Sequence, residues 1–383
     1  MNITIVLGAF LPVPPIMGGA VEKAWFMLAQ EFATRGHQVV IVSRALEQFP
    51  PAEVLNGVRH IRVRGFDTPR SLLWLKFLDL IYSVRAKRIL PSADIVVTNT
   101  FWLPILLRNS NSGRVYVHVA RYPKGQMRLY GRVARLQAPS SAVARAVASE
   151  VPRLEKKITV IPYPAAPSIT KSEPPANAAR EKIILFVGRV HPEKGVHVLV
   201  KAFASQASTV FADWKLMIVG PVENKFGGGG ASYFNSLEIS AAEVSNQVIF
   251  AGPVFDSGKL EQIFRAARLF VYPSLAERGE SFGLAPLEAM AQGCAVLVSD
   301  LECFRDFVQD GETGFIFSHR SGNVNNALGE RMKDIVRDEA SLNAVAAAGY
   351  RRSALYSLPR VADQFLSDFN SLTHTSDVTG PDR

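Results

Sequence analysis

Cysteine is scarce: only Cys294 and Cys303 occur, too few for a disulfide framework or a four-thiolate zinc site. A disulfide-stapled secreted scaffold is excluded, and a reducing compartment fits better. No uncharged apolar stretch reaches 18 residues and no basic segment precedes the run MNITIVLGAF, so neither a membrane span nor a signal peptide is expected. Asp-x-Asp is absent, which removes the acidic ligands of a metal-diphosphate clamp. The loop from Gly8 to Gly19 is not Gly-x-Gly-x-x-Gly, and Ser43-Arg44 stands where an acidic residue would end the second strand of a dehydrogenase-type dinucleotide site. Charge is modest as well, at 20% of residues against 48% hydrophobic, a globular balance that excludes a disordered adaptor.

What charge there is lies unevenly. Up to Arg180 there are 24 Lys and Arg against 10 Asp and Glu, a balance of +14; from Glu181 onward there are 19 against 24, a balance of −5. A one-sided basic half suits a polyanion or an anionic membrane surface, or is a solvated face without a partner.

At 383 residues two domains are expected. In the first half, strand-like runs at Ile3–Ala9, Gln38–Ser43, Val58–Val63, Asp94–Thr100, Val115–Ala120 and Lys157–Ile161 alternate with helical patterns such as Ala20–Arg35. Pro162–Pro175 carries five prolines and reads as a linker. A second series follows at Ile183–Val190, Trp214–Gly220, Gln247–Val254, Arg268–Ser274 and Ala295–Asp300, with helices such as Val196–Phe203 and Phe282–Gln292. The expected fold class is α/β, with two tandem doubly wound Rossmann-like domains facing a cleft. The boundaries are 1–165, a linker at 166–181, 182–357, a helix at 358–372 that packs back toward the first domain, and a frayed tail at 373–383.

Two strand-to-helix turns carry the chemistry. Glu280-Ser281-Phe282-Gly283-Leu284 leads to Glu288, and the N–H groups of Phe282, Gly283 and Leu284 would open a helix that can bind phosphate or sugar oxygens. Eight helical residues rise about 12 Å, too far for the carboxyl pair of a retaining glycosidase at about 5–5.5 Å. Each glutamate therefore serves a different part of one ligand. In GRVHPEKG, Arg189 and Lys194 place two cations beside another helix start, which suits a diphosphate; taken alone they are two surface charges. Gly227–Gly230 is a surface loop or a loop near a nucleotide base, and Cys294 a small core residue.

These motifs, with the Gly18-Gly19 loop and the LAQEFATRGHQVVIVS run, make nearly the whole chain resemble the family 4 retaining glycosyltransferases of the GT-B fold, of the bacterial polysaccharide or lipopolysaccharide type. The resemblance implies an enzyme of the EC 2.4 hexosyltransferase type with no cofactor and no metal, whose donor is a UDP- or GDP-sugar and whose acceptor is a glycan or lipid-linked. It implies Glu288 on the ribose, Glu280 facing the transferred sugar, Arg189 and Lys194 on the diphosphate, and Gly18-Gly19 closing over it. His118, after the fifth strand, matches a catalytic or sugar-contacting histidine, in the context VYVHVARYP rather than His-Asp. Glu277, eleven residues before Glu288, is a decoy, and Tyr163-Pro164 replaces the family's Asn-Gly turn. A same-face displacement, with the departing phosphate taking the acceptor proton, follows from the same resemblance.

Two other classes stay open: a nucleotide-sugar epimerase of the same fold, and a non-catalytic basic binding module. The second lacks any nucleic-acid motif, and no nucleic-acid partner is expected. The segment Ser71–Leu90 sets Trp74, Phe77, Leu78, Ile81 and Tyr82 at helical spacing among Arg70, Lys76, Arg85, Lys87 and Arg88. It either packs on the sheet through Leu72, Leu75 and Leu80 or lies in a membrane interface, making a cytoplasmic enzyme peripheral to the inner face of the cell membrane.

Overall fold

The computed structural model describes residues 1–69, 71–107, 112–166, 174 and 176–374. The chain divides into two units, Met1–Pro164 with the C-terminal segment from Leu358, and Ala165–Ser357.

The first unit runs β1 (Asn2–Val6), α1 (Ala20–Thr34), β2 (Gln38–Arg44), β3 (Ala52–Leu55), β4 (Val58–Val63), α2 (Leu72–Ile89), β5 (Ile95–Thr98), α3 (Leu103–Leu106), β6 (Arg114–His118), β7 (Arg135–Ala138), α4 (Ser141–Glu150) and β8 (Ile158–Val160). Its sheet has the order β3-β4-β2-β1-β5-β6-β7-β8. All pairs are parallel except β3 with β4. Central strands such as β5, buried at all four positions and apolar but for its closing Thr98, read this way because helices cover both faces of a parallel sheet.

Periodicity missed β3 and β7. The edge strand β3 is only exposed or half-buried along its length. The hairpin joining it to β4 turns at Asn56 and Gly57, both at positive φ (49° and 78°), the conformation an Asn-Gly turn favours. β7 is four residues long and half polar. His118 therefore ends the sixth strand, not the fifth.

The second unit runs β9 (Glu181–Val187), α5 (Val196–Ala204), β10 (Lys215–Val219), α6 (Gly230–Ala241), β11 (Val248–Gly252), α7 (Ser257–Ala266), β12 (Ala267–Tyr272), α8 (Leu284–Ala291), β13 (Ala295–Ser299), β14 (Phe315–Phe317), α9 (Val324–Arg337) and α10 (Glu339–Ser353). Its sheet, β11-β10-β9-β12-β13-β14, is parallel throughout. The three-residue β14 is too short to show a period.

The last helix, α11 (Leu358–His374), belongs to the first unit. Val361, Ala362, Phe365 and Phe369 join the core under α1, and Asp368 accepts from the Tyr116 hydroxyl at 2.9 Å and from Arg135 Nε at 3.1 Å.

The segment expected as linker is not free chain at either end. Tyr163 and Ala165 are buried, and Ala165 bridges to Ser357. Arg180 is buried beneath β12, donating to the carbonyls of Phe264 and Ala267 at 3.0 and 3.2 Å. Residues 167–173 and 175 of that segment, and 375–383 of the tail, lie outside the described residues.

On α2 the expected aromatic stripe is split. Tyr82 is fully buried, whereas Trp74 and Phe77 are exposed, as is Leu72, which the sheet-packing alternative set against the sheet. Arg70 lies outside the described residues.

Candidate active site

β9 and β12 lie side by side where the strand order of the second sheet reverses, the place where open α/β sheets bind ligands beyond their carboxyl ends. The turn after β9 carries Arg189 and Lys194, and the turn after β12 carries Glu280. Leu275 N–H donates to the Glu193 carbonyl at 2.8 Å, so the two turns are stitched together. Gly195, at φ +68°, sits so close that a Cβ there would lie 1.9 Å from the Pro273 carbonyl oxygen. Only glycine fits.

This junction brings together side chains 86 residues apart: Lys194 Nζ donates to Glu280 Oε2 at 2.5 Å, with both residues less than a tenth exposed. Ser274 Oγ donates to the same oxygen at 3.2 Å. Burial alone would lower the proton affinity of the lysine, but neighbouring Tyr272 and Glu280 raise it, so Lys194 stays charged. Burial pushes the Tyr272 hydroxyl up to about 12.

The two expected cations are thus not equivalent. Lys194 is buried and paired, while Arg189 is exposed and donates from Nη1 to the Gly227 carbonyl at 2.9 Å. The glycine run is tied to the same turn, since Gly229 N–H donates to the Val190 carbonyl at 2.8 Å.

The helix expected from Phe282 begins two residues later, with Gly283 capping α8 at φ +93°. A Cβ on Gly283 would meet Phe304 Cε1 at 2.3 Å. Phe282 points into the core between Phe307 and Tyr356, so its ring is structural. Ser281 and Leu284 are half-buried on either side of this cap. Glu280 precedes the helix and Glu288 lies buried within it, so the two glutamates do not share a helix. Glu277 stands apart, held by Arg320 and His319 at 2.8 Å.

In the first unit, Gly18 and Gly19 enter α1 at φ +78° and +103°. A Cβ on Gly19 would lie 2.3 Å from Glu22 Oε2, because the Glu22 carboxyl folds back under the loop. Burial pushes that carboxyl up to about 7, against the opposing pull of its own backbone N–H and the Arg121 charge. Sequence reasoning missed Glu22, since a glutamate three residues past a helix cap reads as a solvated capping residue.

His118 has no free ring nitrogen: Nδ1 meets Gln137 Oε1 at 2.5 Å and Nε2 meets the Tyr163 hydroxyl at 2.8 Å. Burial lowers its pKa to about 4, so it is neutral at pH 7. Among the described residues no cluster of three or more His, Cys, Asp or Glu is placed to hold a metal ion.

Two open α/β sheets in separate units, each with glycine-bearing turns at the carboxyl ends of its central strands, define the GT-B class of glycosyltransferases. The chain belongs to glycosyltransferase family 4: residues 17–166 match that family's description, and residues 168–352 match the glycosyl transferases of group 1. It is an enzyme that transfers a sugar from a nucleotide-sugar to an acceptor.

The lipopolysaccharide 1,2-N-acetylglucosaminetransferase of Salmonella typhimurium is 25% identical, over 86% of this chain and 89% of that protein. The phosphatidyl-myo-inositol mannosyltransferase of Mycobacterium tuberculosis is 26% identical over 96% and 97%. In fold the chain is similar to the sucrose-phosphate synthase of Thermosynechococcus elongatus, with a TM-score of 0.78 at 21% identity, covering 98% of this chain and all of that one. It is likewise similar to Anabaena HepE in complex with UDP, with a TM-score of 0.72 at 17% identity over 97% of this chain and all of that one.

Proposed function

We propose that the protein is a retaining, metal-independent glycosyltransferase that moves a sugar from a nucleotide-diphospho-sugar to a glycan or lipid-linked acceptor. The reading rests on the buried Lys194–Glu280 pair, which sets a cation and a carboxylate at the crevice between β9 and β12.

In this reading Arg189 and Lys194 take the charge that develops on the leaving diphosphate, a role in which fixed cations act strongly because water is excluded. The N–H groups at the start of α8, from Gly283 and Leu284, add donors to the same phosphates. Glu280 faces the transferred sugar and Glu288 the ribose, while Gly18 and Gly19 let the loop before α1 come close to the donor. His118 orients the Tyr163 hydroxyl, its own nitrogens being committed. The similarly folded HepE binds UDP, which supports a uridine donor here.

The acceptor side is the basic half of the chain. The exposed aromatic end of α2 supports attachment to the cytoplasmic face of a membrane, where a lipid-linked acceptor would be met. No helix among the described residues is long and apolar enough to cross a membrane.

A panel of UDP- and GDP-sugars tested for thermal stabilisation identifies the donor, because a ligand bound only by the folded state raises Tm. Product analysis with donor alone separates transfer from epimerisation. If EDTA abolished transfer and magnesium or manganese restored it, the cation-clamp reading would be wrong.

A further inference from the structure

The carboxylate of Glu280 is used unevenly. Oε2 receives both Lys194 Nζ and Ser274 Oγ, whereas no hydrogen bond to Oε1 is seen among the described residues, which leaves that oxygen for a ligand. Lys194, in turn, has its ammonium committed to Glu280 and lying 5.5 Å from the centre of the Tyr272 ring. A diphosphate arriving at Lys194 must therefore share the ammonium with a carboxylate already in contact with it, and that carboxylate repels the phosphates. Weakening a buried ion pair is favourable only when the partner left behind finds a replacement.

We propose that Glu280 is an exchangeable counter-ion for Lys194 that makes the site favour the sugar-bearing donor over the bare nucleoside diphosphate. The proposal rests on the donor reading given above and deepens it. When the donor binds, its sugar hydroxyls donate to Glu280 and replace the ammonium, which is then free to turn to the diphosphate. After transfer the sugar is gone. The carboxylate has only Ser274 left, recaptures Lys194, and expels the nucleoside diphosphate. Glu280 thus serves product release as well as sugar recognition.

The test is calorimetric binding of UDP, GDP, UDP-glucose and GDP-mannose to the wild-type protein and to Glu280→Gln, whose amide keeps the shape but not the charge. The expected result is that Glu280→Gln binds the nucleoside diphosphate about tenfold more tightly, gains little or loses affinity for the matching nucleotide-sugar, and so loses the preference between them. A merely structural glutamate would not make an anion bind tighter when removed. Should Glu280→Gln fail to fold, Glu280→Asp draws the carboxylate back by one methylene and is expected to move the preference the same way, by a smaller factor. Unchanged or weaker diphosphate affinity in a folded variant overturns the proposal. If no nucleotide binds the wild-type protein, the donor reading falls and the proposal with it.

Discussion

The two units share an architecture but differ in how they treat buried charge. In the second, buried ionic groups have partners: Lys194 with Glu280, Arg268 with Glu339 at 3.0 Å, and Arg180 with backbone carbonyls. The first, net-basic unit has such pairs too, Arg62 with Glu53 and Arg135 with Asp368, but several of its other buried titratable groups are held away from their ordinary pKa mainly by burial itself. Glu22 is raised to about 7, Asp79 to about 6, and His60 and His118 are lowered to about 4. A charge held by an opposite charge keeps it over a wide pH range. A buried group with no opposite charge in hydrogen-bond reach makes the fold answer to pH, even where neutral groups bond it, as they do Asp79 and His118. The second unit is therefore expected to be the steadier one, and the first the one that responds to its surroundings.

The largest expected effect breaks the comparison with acid. His60 is fully buried on β4 with neither ring nitrogen partnered, faced by Phe26 and flanked by Arg62 and Glu53. With folded pKa values near 4 against 6.5 in the unfolded chain, His60 and His118 give stability that is complete above about pH 6.5 and is lost as pH falls toward 4. Each shift corresponds to roughly 3 kcal/mol. Glu22 and Asp79 gain stability over the same range and offset the histidines in the parent, so the loss is read as a difference. Urea unfolding of parent and His60→Leu at pH 7.5 and 5, in a Trp214→Phe background that leaves Trp25, Trp74 and Trp102 as reporters of the first unit, should show His60→Leu gaining on the parent as pH falls. His60→Leu should remove about half of the histidine loss. An acid limb that His60→Leu leaves untouched would place the sensitivity elsewhere.

Next comes the paired cluster itself. Lys194→Ala or Arg189→Ala should lower turnover by about 10²-fold or more, the scale of a lost oxyanion donor. The two should differ in stability: Lys194→Ala strands a buried carboxylate, while Arg189 is exposed and gives up only its bond to Gly227. Steady-state kinetics with the donor found by thermal shift, together with Tm, separate the two. Near wild-type turnover in both variants would end the clamp assignment. Glu288→Ala should chiefly weaken nucleotide binding, and Glu280→Ala should depress transfer where nucleotide still binds.

This contrast explains what could be read in the sequence. The turns after β9 and β12 stood out because a strand-like run, a glycine and a helical run mark a strand end wherever they occur. That Lys194 touches Glu280 could not be read, since it depends on β9 and β12 being neighbours, and strand order is set by the whole sheet. The β3–β4 hairpin was within reach, because Asn56-Gly57 between two short runs is itself a turn signal. Glu22 and His60 were out of reach for another reason. Periodicity marks apolar faces, so a charged residue that folds under a loop or sits at a core position of a strand carries no mark of its burial.

Glu22 gives a smaller effect with a distinct sign. Its carboxyl is held near pKa 7 in the folded unit against 4.5 for an ordinary solvated glutamate, so the folded state keeps a proton that the unfolded chain has released between those values. That contribution to stability is full below about pH 4.5 and is lost as pH rises through 7. Glu22→Gln, neutral throughout, should raise stability by roughly 3 kcal/mol at pH 8 and change it little at pH 4.5, one such shift against the two of the histidines. Denaturant titrations at the two pH values check this, and a gain at pH 4.5 that equals the gain at pH 8 would mean that charge is not the cause.

The smallest expected effect concerns the surface of the first unit. At the start of α2, Leu72, Leu73, Trp74 and Phe77 are 70%, 81%, 58% and 51% exposed, and Trp74 and Phe77 pack edge to face at 5.5 Å. The basic residues of the same helix are partly tied to the protein: Lys87 donates to the Leu106 carbonyl at 2.9 Å, Arg85 to that of Arg64 at 2.8 Å, and Lys76 lies over the Phe101 ring. The apolar end is thus the freer one. An exposed group of large side chains on one helix end, in a half with a net charge of +14, fits insertion at the acyl boundary with the basic groups at the head groups. Flotation with vesicles rich in anionic lipid should show binding that salt weakens, and little binding to neutral vesicles. Changing Trp74 and Phe77 together to Ser should lower the partition coefficient by at least about tenfold, since each such side chain is worth about 1.5–3 kcal/mol when fully buried and less when only partly inserted. Lys87→Glu with Arg88→Glu should lower it less and flatten its salt dependence. If the charge reversals abolish binding and the serine changes do nothing, attachment is electrostatic alone. If no binding is seen even at low salt, the acceptor is a soluble molecule and the exposed end of α2 has another partner.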